Sequence, residues 1–153
     1  MTDLRQRFYI DDSPVRGEVV HLEEALQTIL AQRDYAPAVQ VLLGEMLSAI
    51  ALLASTLKIK GRVSLQIQAQ GTFKWAMAEC SHLGEVRALA DYEEDLRFMQ
   101  GDTSQTVLSS LMNPVLFINI DPEHGERYQG IVALDKPTLA ECLVQYYDLS
   151  AQI

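Results

Sequence analysis

The residues best suited to chemistry in this chain are a cysteine and a histidine two positions apart, Cys80 and His82. A thiolate beside an imidazole can act as an activated nucleophile with its base. Side chains at i and i+2 of a strand share one face of the sheet, so the pair could meet. Such a pair also needs a third, orienting group and a pocket, and the sequence identifies neither. A small cytosolic enzyme with a cleft near Cys80 and His82 is therefore the alternative hypothesis for function.

The remaining metal and disulfide candidates are too scattered to define a site. No two of the three histidines, His21, His82 and His124, have the spacing of zinc ligands such as HxxxH. Cys80 and Cys142 lie far apart, and neither belongs to a CxxC pair. Lone cysteines of this kind are usually inert core residues. We predict no catalytic, cofactor-binding or metal-ligating residue within this chain.

The sequence gives equally little support for a nucleotide-binding site or for an aromatic stacking site. The eight glycines form neither a GxGxxG fingerprint nor a phosphate-binding P-loop. Phe73, Trp75 and Tyr92 could stack against a ligand, but packing on one face of a sheet is the commoner role of such aromatic residues. We therefore interpret the three aromatic side chains as core.

The composition describes one acidic, globular domain. With 12 Lys and Arg against 21 Asp and Glu, the formal net charge is −9, and no basic run is present. A nucleic-acid partner is therefore not expected, since binding requires clustered cations that replace phosphate counterions. Residues 1–10 mix charges with few apolar side chains, unlike a signal peptide. These features favour a cytoplasmic location.

The longest apolar stretch, residues 36–57, raises the question of a membrane span. It contains Glu45 near its middle, where a charge is costly in a bilayer. A helix buried on nearly all sides of a globular core is the better interpretation. We therefore expect no membrane partner.

Hydrophobic periodicity predicts the order of elements. Helices are expected over residues 20–34 and 37–57, and strands over 63–70, 73–78 and 86–90. Residues 91–104 are polar and predicted to form a loop, followed by one or two helical turns over 107–112 that Pro114 ends. A hairpin is then predicted, with strands over 115–120 and 127–134 and turn residues between them.

Thr138, with Glu141 three residues later, forms a capping box that predicts the start of the last helix. Helices outside a mainly antiparallel sheet define an α+β domain with one long central buried helix.

Three blocks of sequence, in this order, resemble the thirty-three-kilodalton chaperonin family, the redox-regulated heat-shock holdases. The first is VRGE at residues 15–18, and the second is LLASTLKIKGRVSLQIQAQG at 52–71. The third is GERYQGIVAL at 125–134, followed by LAECLVQYYDLSAQI at 139–153. The similarity covers nearly the whole chain.

The resemblance implies an ATP-independent chaperone that binds unfolding proteins and prevents their aggregation under oxidative or heat stress. Family members have an N-terminal domain, a flexible linker and a C-terminal domain in which four cysteines, in CxC and CxxC pairs, hold zinc in the reduced, inactive state. Oxidation releases the zinc, unfolds the linker and exposes apolar surface.

On this basis residues 1–153 are expected to be the N-terminal core domain, for client binding and dimerisation, without the linker and zinc domain. The resemblance places the zinc cysteines of the family beyond Ile153, the last residue of the sequence. Zinc is therefore expected in the full-length reduced protein and not in this chain, because Cys80 and Cys142 do not match the zinc cysteines.

The resemblance also implies which partners the protein has. They are expected to be unfolded or oxidatively damaged proteins, with a homodimer as the active form and no enzymatic activity. Four apolar residues, Phe98, Met99, Leu111 and Met112, are the candidate client-binding surface. Ordinary packing is the competing interpretation of all four.

Overall fold

The computed structural model describes residues 4–9, 16–21, 23–56, 60–93 and 103–150. We number the elements of these residues in chain order. They are β1 (Leu4–Tyr9), β2 (Arg16–His21), α1 (Glu23–Leu30), α2 (Pro37–Thr56), β3 (Gly61–Gln70), β4 (Phe73–Ser81), β5 (Val86–Tyr92), α3 (Ser104–Leu108), β6 (Met112–Pro122), β7 (Tyr128–Val132) and α4 (Leu139–Ser150).

Five of the strands form one antiparallel sheet in the order β5-β4-β3-β6-β7. Strands β1 and β2 form a separate two-stranded antiparallel sheet. Helix α2 packs against one face of the larger sheet, and the other described helices lie on the same side. The predicted α+β class, with a long helix packed on a mainly antiparallel sheet, is confirmed.

Strand β3, which the sequence predicts over residues 63–70, alternates between buried and more accessible side chains. Val63, Leu65 and Ile67 are buried, while the serine and glutamines between them are not. The register places Leu65 opposite Ala78 of β4 and Ile118 of β6, so the same alternation continues across the sheet. We call this side the core face and the opposite side the outer face.

Strand β4 differs from the predicted arrangement of its large side chains. The register shifts between Phe73 and Trp75, so that Phe73 is buried whereas Trp75 and Met77 project from the outer face. The small residues Ala76 and Ala78 occupy the core face instead. A bulge of this kind moves every later residue of the strand to the opposite face of the sheet. Hydrophobic periodicity alone does not reveal such a bulge.

Helix α2 is the central element of the core. It starts with Pro37, as predicted, where the missing N–H is no loss. Its largest fully buried side chains face the sheet and α3: Leu42, Leu43, Met46, Leu47 and Ile50. By length and composition the helix could cross a membrane, with a mean hydropathy of 1.8, but half of that stretch is buried within the domain. One stripe of α2 stays accessible, including Val41 at 40% exposure.

The N-terminal prediction is wrong in part. The helix expected over residues 20–34 begins only at Glu23 and ends at Leu30, and β2 extends to His21. No strand was predicted before residue 63, yet β1 and β2 pair over six residues. Each of these short polar segments is a strand because it pairs with the other, since β-propensity depends on context.

The segment before β6 also departs from the prediction. The helical turns expected over 107–112 lie at Ser104–Leu108, and β6 already begins at Met112. Asn113 adopts a φ of 47°, a left-handed conformation that asparagine tolerates, and its Nδ2 donates to Oε1 of Gln70 at 3.0 Å. This irregularity in the pairing of β3 and β6 accommodates Pro114, since proline within sheets is confined to edges and bulges.

The threonine cap that predicts the start of the last helix is present, and Glu141 bonds its hydroxyl. The backbone N–H of Glu141 donates to Oγ1 of Thr138 at 3.2 Å, and the threonine hydroxyl donates to the glutamate carboxylate at 3.1 Å. Helix α4 contacts β7, where the hydroxyls of Tyr146 and Tyr128 are hydrogen-bonded to each other above Gly130. The glycine therefore leaves the space that α4 needs at this edge of the sheet.

The inverted arrangement of β4 is testable by a pair of substitutions at neighbouring positions. Ala78→Leu inserts three carbon atoms at a fully buried site beneath α2, so we expect about 1–3 kcal/mol of destabilisation. Met77→Leu changes a side chain on the outer face and should alter stability by no more than about 0.5 kcal/mol. Urea unfolding midpoints of the two variants measure the two changes in stability. Equal effects would mean that the assignment of the faces is incorrect.

A second test concerns Gly61, where β3 begins. It has a φ of 150°, and an added Cβ would lie 2.3 Å from the carbonyl oxygen of Asp121. We expect Gly61→Ala to lower the free energy of unfolding by about 3 kcal/mol, because backbone atoms must move. Gly84→Ala is the control, since Gly84 has a φ of 83° but open space around it and should lose only about 1 kcal/mol. A Gly61→Ala variant as stable as Gly84→Ala would contradict the packing described.

Candidate functional site

The structure does not bring Cys80 and His82 together as a nucleophile and base. Cys80 is 2% exposed on the core face, between Val63 of β3 and Val86 of β5, and its thiol donates to the carbonyl of Ser81 at 3.4 Å. His82 is exposed in the following turn, and its Nδ1 accepts the backbone N–H of Gly61 at 3.0 Å. The imidazole therefore fixes the start of β3, and the hypothesis of an enzyme site here loses its geometric basis.

Neither cysteine fits a zinc site. Cys80 lies in β4, and Cys142 is equally buried in α4, where its thiol donates to the carbonyl of Lys136 at 3.8 Å. Within the described residues no three His, Cys, Asp or Glu side chains cluster as metal ligands would. A metal would need several such groups in a tetrahedral or octahedral arrangement.

The expected zinc cysteines belong to a part of the protein that the structure does not describe. Helix α4 is described as far as Ser150, and Ile153 lies outside the described residues. The expectation that the family's zinc cysteines follow Ile153 therefore stays a prediction.

The four residues predicted as a client-binding surface are only partly described. Phe98 and Met99 lie outside the described residues. Leu111 is half-buried and packs against the core, whereas Met112 is 52% exposed at the start of β6, beside Gly71. The involvement of all four in client binding stays a prediction.

The outer face of the five-stranded sheet is the surface that the sequence analysis overlooked. The strand register aligns one residue from each strand in a row across it: Ile131, Phe117, Gln66, Met77 and Leu89. Four of the five are apolar, and Ile131 is 66% exposed. None of the described helices packs on this side. The row is therefore an apolar strip that crosses the whole sheet in the described part of the chain.

A second row on the outer face adds an aromatic side chain beside the first. It runs through Val115, Gln68, Trp75 and Asp91. Between Trp75, Met77 and the glutamines of β3 lies a shallow groove of about 500 Å³. Apolar and carboxamide groups thus alternate along this groove, so it can bury apolar side chains and also hydrogen-bond a peptide backbone.

The charges on the outer face are largely paired at its margin. The carboxylate of Glu79 lies 3.5 Å from Arg62 and 3.6 Å from Arg87. Lys74 approaches Glu93 at 3.9 Å. Such exposed pairs contribute little to stability, but they offset the charges that lie beside the apolar strip.

The aromatic residues considered as a stacking platform are divided between the two faces. Phe73 and Tyr92 stack with ring centroids 5.9 Å apart, and Phe73 is buried, whereas Trp75 is on the outer face. The Tyr92 hydroxyl accepts the N–H of Ala36 at 2.7 Å, at the start of α2. Burial raises the pKa of Tyr92 above its ordinary value, although this hydrogen bond opposes the change. Tyr92 is thus a packing residue that also anchors α2.

One signal in the sequence could have located the outer face. In β3 the apolar residues alternate with glutamines, which therefore lie on the face opposite to the core, and the bulge in β4 places Trp75 and Met77 beside them. The missing information was the register between the strands, because pairing is set by tertiary contacts as well as by pattern.

Comparison with solved structures defines the class of fold. The chain superimposes on the crystal structure of the 33 kDa chaperonin, a heat shock protein 33 homologue, from Thermotoga maritima with a TM-score of 0.80. The two share 23% sequence identity, and the match covers 97% of this chain and 51% of the other. The sheet and helices described here are therefore the fold of part of a chaperonin.

Sequence comparison identifies the family. The family model described as Hsp33 protein matches residues 3–153, and the chain belongs to this family. The 33 kDa chaperonin of Ectopseudomonas mendocina is 47% identical over the whole of this chain, and that of Pseudoalteromonas atlantica is 42% identical over 99% of it. The matched parts make up 50% of each relative, so the chain spans about half the length of the curated relatives it matches.

The buried position of Cys80 leads to a chemical test. Because the thiol is shielded, we expect alkylation by iodoacetamide at neutral pH to be about 100-fold slower in the folded protein than in urea. The His82→Ala variant should show the same slow rate at Cys80, since the imidazole does not activate the thiol. Peptide mapping after timed quenching measures both rates. A folded-state rate above that of the unfolded chain, lost in His82→Ala, would restore the enzyme hypothesis.

Proposed function

We propose that this chain is the client-binding part of an ATP-independent, redox-regulated holdase, and that the outer face of its sheet takes up apolar segments of unfolding proteins. The observation that carries the proposal is the apolar strip across all five strands, which none of the described helices covers. Membership of a chaperone family supports the same function. Contiguous apolar side chains that stay partly accessible on a folded domain are typical of a binding site.

The chemistry of the strip favours clients without a fixed sequence. Met77, Leu89 and Phe117 offer flexible and aromatic contacts that adapt to different apolar side chains. The carboxamides of Gln66 and Gln68 provide both donors and acceptors for the unpaired backbone of an unfolded segment. Hydrophobic burial supplies the binding energy and needs no nucleotide.

Redox control belongs, in this proposal, to the part of the full-length protein beyond Ile153. Both cysteines of the chain are buried in the core and unsuited to hold zinc. A site of four thiolates in the other half of the protein would bind zinc and fold its own domain, and oxidation would remove the ligands. Release of that domain would then open the strip on the outer face.

The partners follow from the same proposal. Unfolded or oxidatively damaged proteins are the clients, and neither nucleic acid nor a membrane is required. A homodimer is the active form, the protein acts in the cytoplasm, and it catalyses no reaction. The chain's acidic net charge of −9 keeps the domain soluble while it presents an apolar face.

The proposal predicts that charges on the strip weaken protection. The double variant Met77→Lys and Phe117→Lys alters two half-buried residues of the outer face and leaves the core intact. We expect about 30-fold more protein, or more, to be needed to suppress the aggregation of a heat-denatured client, because the two lysines together remove about 2–4 kcal/mol of apolar contact. Light scattering without nucleotide measures the effect.

Leu83→Lys is the matched control, since Leu83 is 73% exposed in the turn between β4 and β5 and lies off the strip. It should protect as well as the wild-type chain. Full protection by the double variant would exclude the outer face as the client site. If the wild-type chain protects nothing while the oxidised full-length protein does, client binding needs segments beyond this chain.

A further inference from the structure

Helix α2 carries a stripe of two apolar and two polar residues that the described parts of the domain leave accessible. Val41, Glu45, Ser48 and Leu52 follow one another at i, i+4, i+7 and i+11, so they lie on one side of the helix, away from the sheet. Val41 is 40% exposed although α2 is among the most apolar segments of the chain. A helix that is apolar nearly all round is usually covered on all sides. This stripe therefore has the character of a contact surface.

The stripe forms the floor of a groove with two helical walls. Leu26 and Leu30 of α1 line one side, and Leu139 and Leu143 of α4 line the other. The groove has a volume of about 660 Å³, and its floor runs from Val41 to Leu52, eleven steps along the helix or about 16 Å at 1.5 Å per residue. These dimensions fit three turns of an α-helix lying along the groove.

The polarity of the groove favours a helix over an extended segment. Apart from Glu45, its polar lining side chains in the described part of the chain are Gln40 and Ser48. An extended ligand would bring many unpaired N–H and C=O groups into a groove with few partners for them. A helix satisfies these groups internally and presents only side chains, as in other helix-in-groove complexes.

Electrostatics specifies the charge of the ligand. Among the described residues, Glu45 is the one ionisable group that lines the groove, and it is exposed near the middle of the floor. Gln40, another polar residue of the lining, is already engaged, since its Nε2 donates to the carbonyl of Tyr35 at 2.9 Å. A cation on the ligand would therefore meet a carboxylate flanked by apolar surface, and the net charge of −9 would attract it from a distance.

We propose that the groove between α1, α2 and α4 binds a basic amphipathic helix of a client protein, with a Lys or Arg of the helix paired with Glu45. The inference rests on the proposed chaperone function, which it extends to clients that retain helical structure. The groove lies on the helical side of the domain, so it is separate from the outer face of the sheet. Two kinds of client segment would thus have different sites on one domain.

The test uses two fluorescein-labelled amphipathic peptides of about fourteen residues, four turns of helix, that differ only in a central Lys or Glu beside the apolar face. Fluorescence anisotropy with the whole chain should give about fivefold to tenfold tighter binding of the Lys peptide. Glu45→Lys should reverse this preference. Glu126→Lys, an exposed change of equal charge outside the groove, should leave the preference unchanged apart from a small general weakening.

Val41→Glu tests the apolar floor, and Val144→Glu on the exposed side of α4 is its control. We expect only Val41→Glu to weaken binding of the Lys peptide, by about tenfold, with unfolding midpoints of both variants near that of the wild type. Equal affinity of the two peptides, or an equal effect of Glu45→Lys and Glu126→Lys, would overturn the proposal.

Two further outcomes separate this inference from other possibilities. If sedimentation shows a dimer that Val41→Glu dissociates, and neither peptide binds, the groove is a contact between two copies of the chain and the inference is wrong. If the peptides fail to bind while the wild-type chain still suppresses aggregation, the groove inference fails and the chaperone function stands. Peptide binding with the expected charge preference, but no suppression of aggregation, would support the groove and overturn the function assigned to the sheet.

Discussion

The close packing of α2 on the alanines of β4 and β5 determines how the rest of the domain is arranged. Ala76, Ala78, Ala88 and Ala90 are fully buried on the core face, where large side chains would hold the helix away from the sheet. The bulky core residues are instead contributed by α2 itself and by β3 and β6. Protein interiors are packed without voids, so the small residues of the sheet and the large residues of the helix depend on each other.

This packing has a consequence for the opposite side of the sheet. Once the alanines of β4 face the helix, strand alternation forces Trp75 and Met77 to the outer face. A sheet with one solvated face normally carries polar residues there. Here the outer face carries an apolar strip instead, and this strip is the surface that we propose for the binding of non-native chains.

The helical side of the domain also leaves a surface accessible. Helices α1 and α4 flank α2 without closing over it, and the remaining groove has one carboxylate in an apolar lining within the described residues. Together the two surfaces would let one small domain bind extended and helical segments separately. Their chemistry differs accordingly, with carboxamides on the sheet and a single charge in the helical groove.

The sequence alone determined the elements whose pattern is local. Strand β3, the start of α2 at Pro37 and the Thr138 cap of α4 all depend on residues a few positions apart, and each was predicted correctly. The α+β class and the family followed from the same local blocks. Tertiary structure decided the hairpin of β1 and β2, the face on which Trp75 lies and the separation of Cys80 from His82. Each of these depends on strand pairing between distant residues, or on a one-residue bulge that reverses a strand's faces, and neither leaves a periodic signal in the sequence.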